Sequence, residues 1–255
     1  MVGSLSTVCA IVGFQTVFTD ASPEFRCRLP SDLFKNDTYE ITSNNQLNLV
    51  EKYIPIDPKT DKYDTCHLNS PNGTNTTIEC HEWVYSKQYF DRTIITEWNF
   101  VCSRLVQKGV YKSIFFAGTF GVILIGILGD RFGRQRTAHI FITLNSLVFI
   151  LNAIVLNFVK NEKVAQGLFG FLRFSIGFVS NVYAVVTVLA VEIVGPSYRV
   201  TAANTINYFF IVGELIVLFC AYFLRDYRNF SICMAAVVSV TLSYFWMVPE
   251  SIRYL

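Results

Sequence analysis

The sequence predicts an all-α polytopic membrane protein, and three observations carry that prediction. The 255 residues are 52% hydrophobic and only 16% charged, with a mean hydropathy of +0.40; soluble domains average about 25% charged. Apolar runs of helical length follow one another at about 111–128, 137–159, 164–194, 201–224 and 231–248. Charge is segregated: residues 20–108 hold 13 of the 19 acidic side chains, and only 6 acidic residues lie beyond Tyr111, mostly at the ends of apolar runs. A net charge of +2 with no Lys/Arg run excludes a strongly basic nucleic-acid binder.

Residues 1–18 are apolar and uncharged and stop at Asp20. They form a marginal span, since the hydrocarbon core takes roughly 20 helical residues. A cleaved signal peptide is the alternative, but it lacks a basic first region. The chain therefore divides into an apparently truncated first span (1–19), a polar loop domain (20–109) and spans two to six (110–255). In the loop domain Pro23, Pro30, Pro55, Pro58 and Pro71 oppose any long helix. It also holds Cys27, Cys66, Cys80 and Cys102, an even set that suggests two disulfides with three connectivities open. The sequons at Asn36, Asn72 and Asn75 add glycosylation candidates. Together they place this segment outside the cell or in a lumen. A zinc site from Cys66-His67 and Cys80-His81 competes, but its spacing fits no common zinc pattern.

The connections between the later runs are short: 129–136, 160–163, 195–200 and 225–230. Short connections mean antiparallel neighbours. Parity then puts 129–136, 195–200 and 249–255 inside if 20–109 is outside. Basic residues alone do not decide it, because Lys160, Lys163, Arg225 and Arg228 fall on the outer side.

Arg173 and Glu214 stand within apolar runs, where charges are costly and face an interior or a cavity. At 1.5 Å per residue Arg173 lies roughly 14 Å deep and Glu214 roughly 10 Å below the outer surface. The similar heights lead to the expectation that the two pair or share a network. Arg173, Ser180, Tyr183 and Thr187 share an arc of about 80° on the fourth span, and Asn204, Asn207 and Glu214 a similar arc on the fifth. Asn145 and Asn152 share a face of the third. Such stripes serve either as helix–helix glue or as a solute path. Gly118, Gly121 and Gly126 let a neighbouring backbone come close to the second span. No GxSxG, HExxH, Walker A, CxxC or GxGxxG occurs, and His67, His81 and His139 are scattered. Neither an enzyme, a metal site nor a cofactor is expected.

Between two apolar runs stands Gly126-Ile-Leu-Gly-Asp130-Arg131-Phe-Gly133-Arg134-Gln-Arg136. It resembles the charged turn between the second and third spans of major facilitator transporters. Arg173-Phe-Ser-Ile-Gly177 resembles the RxxxG motif of their fourth span. Narrower likenesses run along the chain: Phe25-Arg-Cys-Arg-Leu-Pro30, Glu97-Trp-Asn-Phe-Val-Cys102, Glu192-Ile-Val-Gly-Pro-Ser-Tyr-Arg199, Tyr222-Phe-Leu-Arg-Asp-Tyr-Arg228 and Pro249-Glu-Ser-Ile-Arg-Tyr-Leu255. In that order they are similar to motifs of the organic cation, organic anion and carnitine transporter family. Asn99, Ile252 and Tyr254 depart from it. Met1 falls inside the first span and the chain stops after the sixth, so the resemblance covers an N-terminal half: a short isoform, a fragment or an incomplete gene product.

The resemblance implies a six-helix bundle of a major facilitator fold with a large disulfide-bonded external loop. It implies a plasma-membrane transporter of small organic ions working by alternating access, with organic cations or zwitterions such as carnitine favoured over anions. Asp130, Arg131, Gly133, Arg134, Glu192 and Arg199 would form a cytosolic gate. Tyr183, Asn207, Glu214 and Arg173 are the candidates along the substrate path. The alternative is a non-transporting truncated form that regulates or associates with full-length transporter. The expected partners are the organic ion and the lipid bilayer, with no nucleic acid; a homo-oligomer is left open. A weaker third reading is a glycoprotein receptor that uses the external segment.

Overall fold

The computed structural model of the chain describes residues 4–243 apart from 31, 33, 36, 58–61, 71–75, 195 and 241. The chain separates into two compact units, Ala21–Val106 and the combination of Met1–Asp20 with Gln107–Leu255. The glycosylation candidates Asn36, Asn72 and Asn75 and the motif at 249–255 lie outside the described residues.

Helix α1 (Ser4–Thr19) belongs to the larger unit, and the smaller unit follows it in sequence. The smaller unit corrects the all-α expectation. It contains three two-stranded antiparallel pairs. Strand β1 (Phe25–Cys27) pairs with β6 (Trp83–Tyr85), β2 (Ile56–Asp57) with β3 (Lys62–Tyr63), and β4 (His67–Asn69) with β5 (Thr77–Glu79). Two short helices accompany them, α2 (Asn44–Tyr53) and α3 (Ile94–Trp98). Ser43 caps α2 by accepting from the Gln46 amide, and Thr93 and Thr96 form a reciprocal capping box on α3. Asn99 then leaves the helix at φ 50, a left-handed position that Asn tolerates, and its side chain accepts from the Tyr85 hydroxyl at 2.9 Å.

Strands this short cannot hold a fold alone. A small apolar core of Leu29, Val50 and Ile54 is reinforced by disulfides Cys27–Cys80 and Cys66–Cys102, with Cα atoms 5.8 and 5.6 Å apart. At its centre Arg26 grips Asp37 with both terminal nitrogens, at 2.9 and 2.6 Å. The Leu29 amide and the Gln46 side chain complete the carboxylate's partners. Burial alone would push the Asp37 carboxyl up. The hydrogen bonds from Arg26, Leu29 and Gln46, with the Arg26 charge, outweigh it and hold the group below the usual carboxylate range.

The larger unit continues with α4 (Leu105–Gly118), α5 (Gly121–Phe132), α6 (Arg134–Phe158), α7 (Glu162–Val179), α8 (Val182–Ile193), α9 (Arg199–Phe223) and α10 (Tyr227–Val240). Four stretches are long and apolar enough to cross a bilayer: Cys102–Phe132, Arg134–Phe158, Glu162–Leu189 and Arg199–Phe223. Ser6–Thr19 and Tyr227–Val240 are apolar but shorter. Of the six expected spans, four are helical stretches long and apolar enough to cross a bilayer; the first and last runs are shorter helices. The second starts at Leu105, earlier than its apolar run, because the amphipathic residues before Tyr111 are helical as well.

Two spans are jointed. The second breaks at Thr119-Phe120, where the amides of both residues turn to carbonyls three residues back. The fourth breaks at Ser180-Asn181: the Asn181 side chain donates to the Gly177 carbonyl at 2.7 Å and Ser180 to the same carbonyl at 3.1 Å. These side chains take the place of the next helical amides. The joints meet. A methyl on Gly118 would strike the Phe174 carbonyl, and one on Gly177 would strike the Phe115 carbonyl. Around them α1 packs on α9, and α6 packs on α7, α8 and α10. Phe149, Ile176, Val217 and Met234 lie in one apolar cluster and Ile125, Ile142, Val186 and Leu189 in another.

Candidate functional site

The turn expected at 126–136 is helical almost throughout. Helix α5 runs to Phe132 and α6 starts at Arg134, so Gly133 alone makes the reversal. Its φ of 94 and ψ of 139 suit only glycine without strain. With a break this tight, Asp130 and Arg134 stand one helical turn apart in spacing and meet at 3.1 Å. Arg134 also reaches α8, where its other terminal nitrogen lies 2.7 Å from a Glu192 carboxylate oxygen. One guanidinium thus clasps the α5–α6 hairpin to the end of α8. The two halves of the clasp differ: the Asp130 side chain is 72% exposed and that of Glu192 only 12%. The inner pair is held in low dielectric and the outer one is open to water. Arg131 is exposed, its guanidinium 5.7 Å from the Phe132 ring. Arg199 is exposed at the start of α9, and no ion pair reaches it among the described residues. Of the six gate candidates the structure therefore unites Asp130, Gly133, Arg134 and Glu192.

Arg173 does not pair with Glu214. Its guanidinium donates to Asp20 at 2.6 Å and to the Thr19 hydroxyl at 3.2 Å. It also lies 4.6 Å from the Phe169 ring centre. Asp20 directly follows α1, and the reach of the long arginine side chain brings the two elements together. The partner was visible in the sequence as the first charge after the first apolar run, where it reads as a boundary residue.

Glu214 is half-buried on α9 and has no hydrogen-bond or ion-pair partner among the described residues. Asn207, on the same arc, is exposed, as is Asn204. Helix α9 buries Ile206, Gly213 and Val217 against its neighbours instead. Gly213 is required at that contact, since a Cβ there would come within 2.8 Å of Ala10. Tyr183 is placed elsewhere. It lines a cavity of about 20 Å³ with Cys9, Asn145 and Ser180, enough for one water. The side-chain oxygen of Asn145 is buried there without a hydrogen-bond partner. The seven-residue spacing of Asn145 and Asn152 was the sequence signal for this polar interior; Asn152 carries a similarly unpartnered oxygen. Among the described residues no cluster of three or more His, Cys, Asp or Glu could hold a metal ion.

The helical unit thus carries an arginine clasp at a helix hairpin, an Arg173–Asp20 contact and an uncovered polar stripe on α9. Comparison with known proteins gives these features a family. The family described as "Sugar (and other) transporter" matches residues 58–255. An "Organic cation transporter protein" of Drosophila melanogaster is 30% identical over 97% of this chain and 44% of its own length. A "Beta-alanine transporter" of the same species is 27% identical over 97% and 44%. The human "Organic cation/carnitine transporter 2" is 27% identical over 95% and 45%. The chain spans about half the length of the curated relatives it matches. Among solved structures, the inward-open xylose transporter XylE from E. coli superposes with a TM-score of 0.52 at 19% identity, over 58% of this chain and 39% of that one, which shows the fold. These relatives are transporters and not enzymes, and the chain belongs to the sugar (and other) transporter family of the major facilitator superfamily.

Proposed function

We propose that this chain forms one bundle of an alternating-access transporter for small organic ions, with organic cations and zwitterions such as carnitine favoured over anions. The observation that carries the proposal is the stripe on α9: Asn204, Asn207 and Glu214 share an arc, with both amides uncovered and the carboxylate unpaired among the described residues. Carboxylates at membrane depth cost about 2.5–3.5 kcal/mol unless they face a partner or a water-filled path. A lone carboxylate beside two amides attracts a cation and offers the rest of a zwitterion hydrogen bonds. The names of the relatives support the substrate class.

In this reading all six apolar helices cross the plasma membrane, α1 and α10 included. The disulfide-bonded unit 21–106 is extracellular and bears glycans at Asn36, Asn72 and Asn75. The Arg134 clasp is cytosolic. It closes one state by holding α8 to the α5–α6 hairpin and gives way in the other. Arg131 and Arg199 stand on the same side, both exposed, where an opposing bundle would approach. Tyr183 and Arg173 flank the path more deeply.

The test is uptake of a small quaternary ammonium ion, tetraethylammonium, by liposomes containing the purified chain. Saturable uptake that Glu214→Gln reduces at least tenfold supports the proposal; saturable uptake indifferent to that change removes Glu214 from it. The uncovered stripe favours a second reading, in which another copy or a full-length transporter supplies the missing wall and the chain regulates it. Absence of uptake by the chain alone, with lowered uptake when it is co-expressed with a full-length relative, selects that reading.

A further inference from the structure

Two cysteines that no part of the transport reading uses lie side by side. Cys220, near the end of α9, and Cys233, in α10, place their sulfur atoms 3.4 Å apart, with the Cys233 thiol donating to the Cys220 sulfur. Neither is in a disulfide. A disulfide needs about 2.05 Å, so closure takes a sulfur movement of about 1.4 Å, within the reach of a side-chain rotation. The pair sits close to one end of the bundle. Cys220 is three residues from Phe223, roughly 4.5 Å along the helix, and Cys233 six residues from Tyr227, roughly 9 Å. The surface beside it carries exposed Phe219, Tyr222 and Phe223; the Phe223 ring meets that of Phe219 at a tilt and that of Tyr222 edge to face, with ring centres 4.8 and 5.2 Å apart. Tyrosine gathers at the headgroup level of a bilayer, which marks Tyr222 as lying at that depth.

We infer that Cys220 and Cys233 are an oxidation site that closes to a disulfide, with lipid hydroperoxides as the class of oxidant. The hydroperoxyl group of an oxidised acyl chain is polar and rises toward the headgroups, the depth at which these thiols lie. Cys220 lies nearer its helix end than Cys233 does and so nearer the headgroups, which makes it the first nucleophile. Its sulfur attacks the hydroperoxide, the O–O bond breaks, and a sulfenic acid forms while the alcohol leaves with the thiol proton. The Cys233 sulfur then attacks the sulfenic sulfur and water departs. Two thiols are oxidised to one disulfide and the hydroperoxide is reduced to alcohol and water. Because α9 packs on α1 and α10 on α6, the new bond fastens one helix pair to the other at that end.

The experiment treats membranes containing the full chain with cumene hydroperoxide, blocks remaining thiols with N-ethylmaleimide and analyses the peptides by mass spectrometry. The expected result is a Cys220–Cys233 linked peptide pair lighter by two hydrogens, loss of both alkylated forms together, and unchanged alkylation of Cys9. Cys220→Ser and Cys233→Ser each abolish the linked species and leave the partner alkylated or as a sulfenic acid. Full alkylation of all three cysteines after treatment, or linkage of either residue to Cys9, overturns the inference. Closure by copper phenanthroline but not by the hydroperoxide overturns the assignment of the oxidant. Intact mass of the unsubstituted protein gives the same answer should either variant fold poorly.

Discussion

Among the described residues two buried arginines each hold an aspartate, and the two pairs are built to opposite ends. In the smaller unit, Arg26 binds Asp37 through both terminal nitrogens and also reaches the Cys27 and Thr38 carbonyls. Side-chain exposure is 6% for the arginine and 0% for the aspartate. In the larger unit, Arg173 uses one nitrogen toward one Asp20 oxygen and the Thr19 hydroxyl, and Asp20 keeps 22% of its side chain in solvent. The first carboxylate is saturated with donors and has a single arrangement. The second holds its partner by one short contact and keeps an oxygen for another. A fully satisfied buried pair rigidifies, whereas a partly satisfied one can exchange partners. The difference suits the first to architecture and, in the proposed transport reading, the second to movement.

The comparison can be broken most sharply at Asp37. Replacing it by Ala strands Arg26 in the interior and should cost about 3–5 kcal/mol. The readout is limited proteolysis of the full chain, with cleavage expected first between residues 21 and 106; unchanged resistance would remove the architectural role. Next comes Gly177→Val, which forces α4 off α7. Overpacking of this kind costs about 1–3 kcal/mol, seen as a lower melting temperature in detergent. Asp20→Asn should leave that temperature nearly unchanged and lower uptake about tenfold, roughly 1.4 kcal/mol; a large loss of stability would make this pair architectural too. The mildest effect is that of acid. Because the Asp37 value is depressed on folding, its contribution is complete above the ordinary aspartate value of about 3.9 and fades as pH falls through the lower folded value. Chymotrypsin-type probes fail at such pH, so pepsin sensitivity is the measure, and it should rise only below about pH 4.

Much of the helical unit was legible because its signals are coarse. Long apolar runs and a charged glycine turn survive any detail of packing, and Glu192 could be joined to the Asp130 motif by its position at the end of the fourth span. The joints were hidden because Thr119-Phe120 and Ser180-Asn181 barely change the hydropathy of the runs that contain them. The strands of the smaller unit are two or three residues long, too short for an alternating pattern to register. The four disulfide cysteines could be listed but not paired, since nothing in their spacing chooses among connectivities. Arg173 was read against Glu214 because both stand inside apolar runs; Asp20, one residue past a helix end, was discounted as a boundary. Which face of α9 stays uncovered depends on where α1 packs, and that is a tertiary fact.

The joint in the fourth span has a mechanical meaning. Arg173 lies in the half before Ser180, where it holds Asp20, and Glu192 in the half after it, where it meets the Arg134 clasp. A continuous rod would force the two charge sites to tilt in unison. A rod with an elbow lets either end swing while the other stays docked, so a change of charge at one need not be felt at the other. Arg173→Gln and Glu192→Gln should accordingly add in their effect on uptake to within about 0.5 kcal/mol, and a larger coupling would mean that the elbow is stiff.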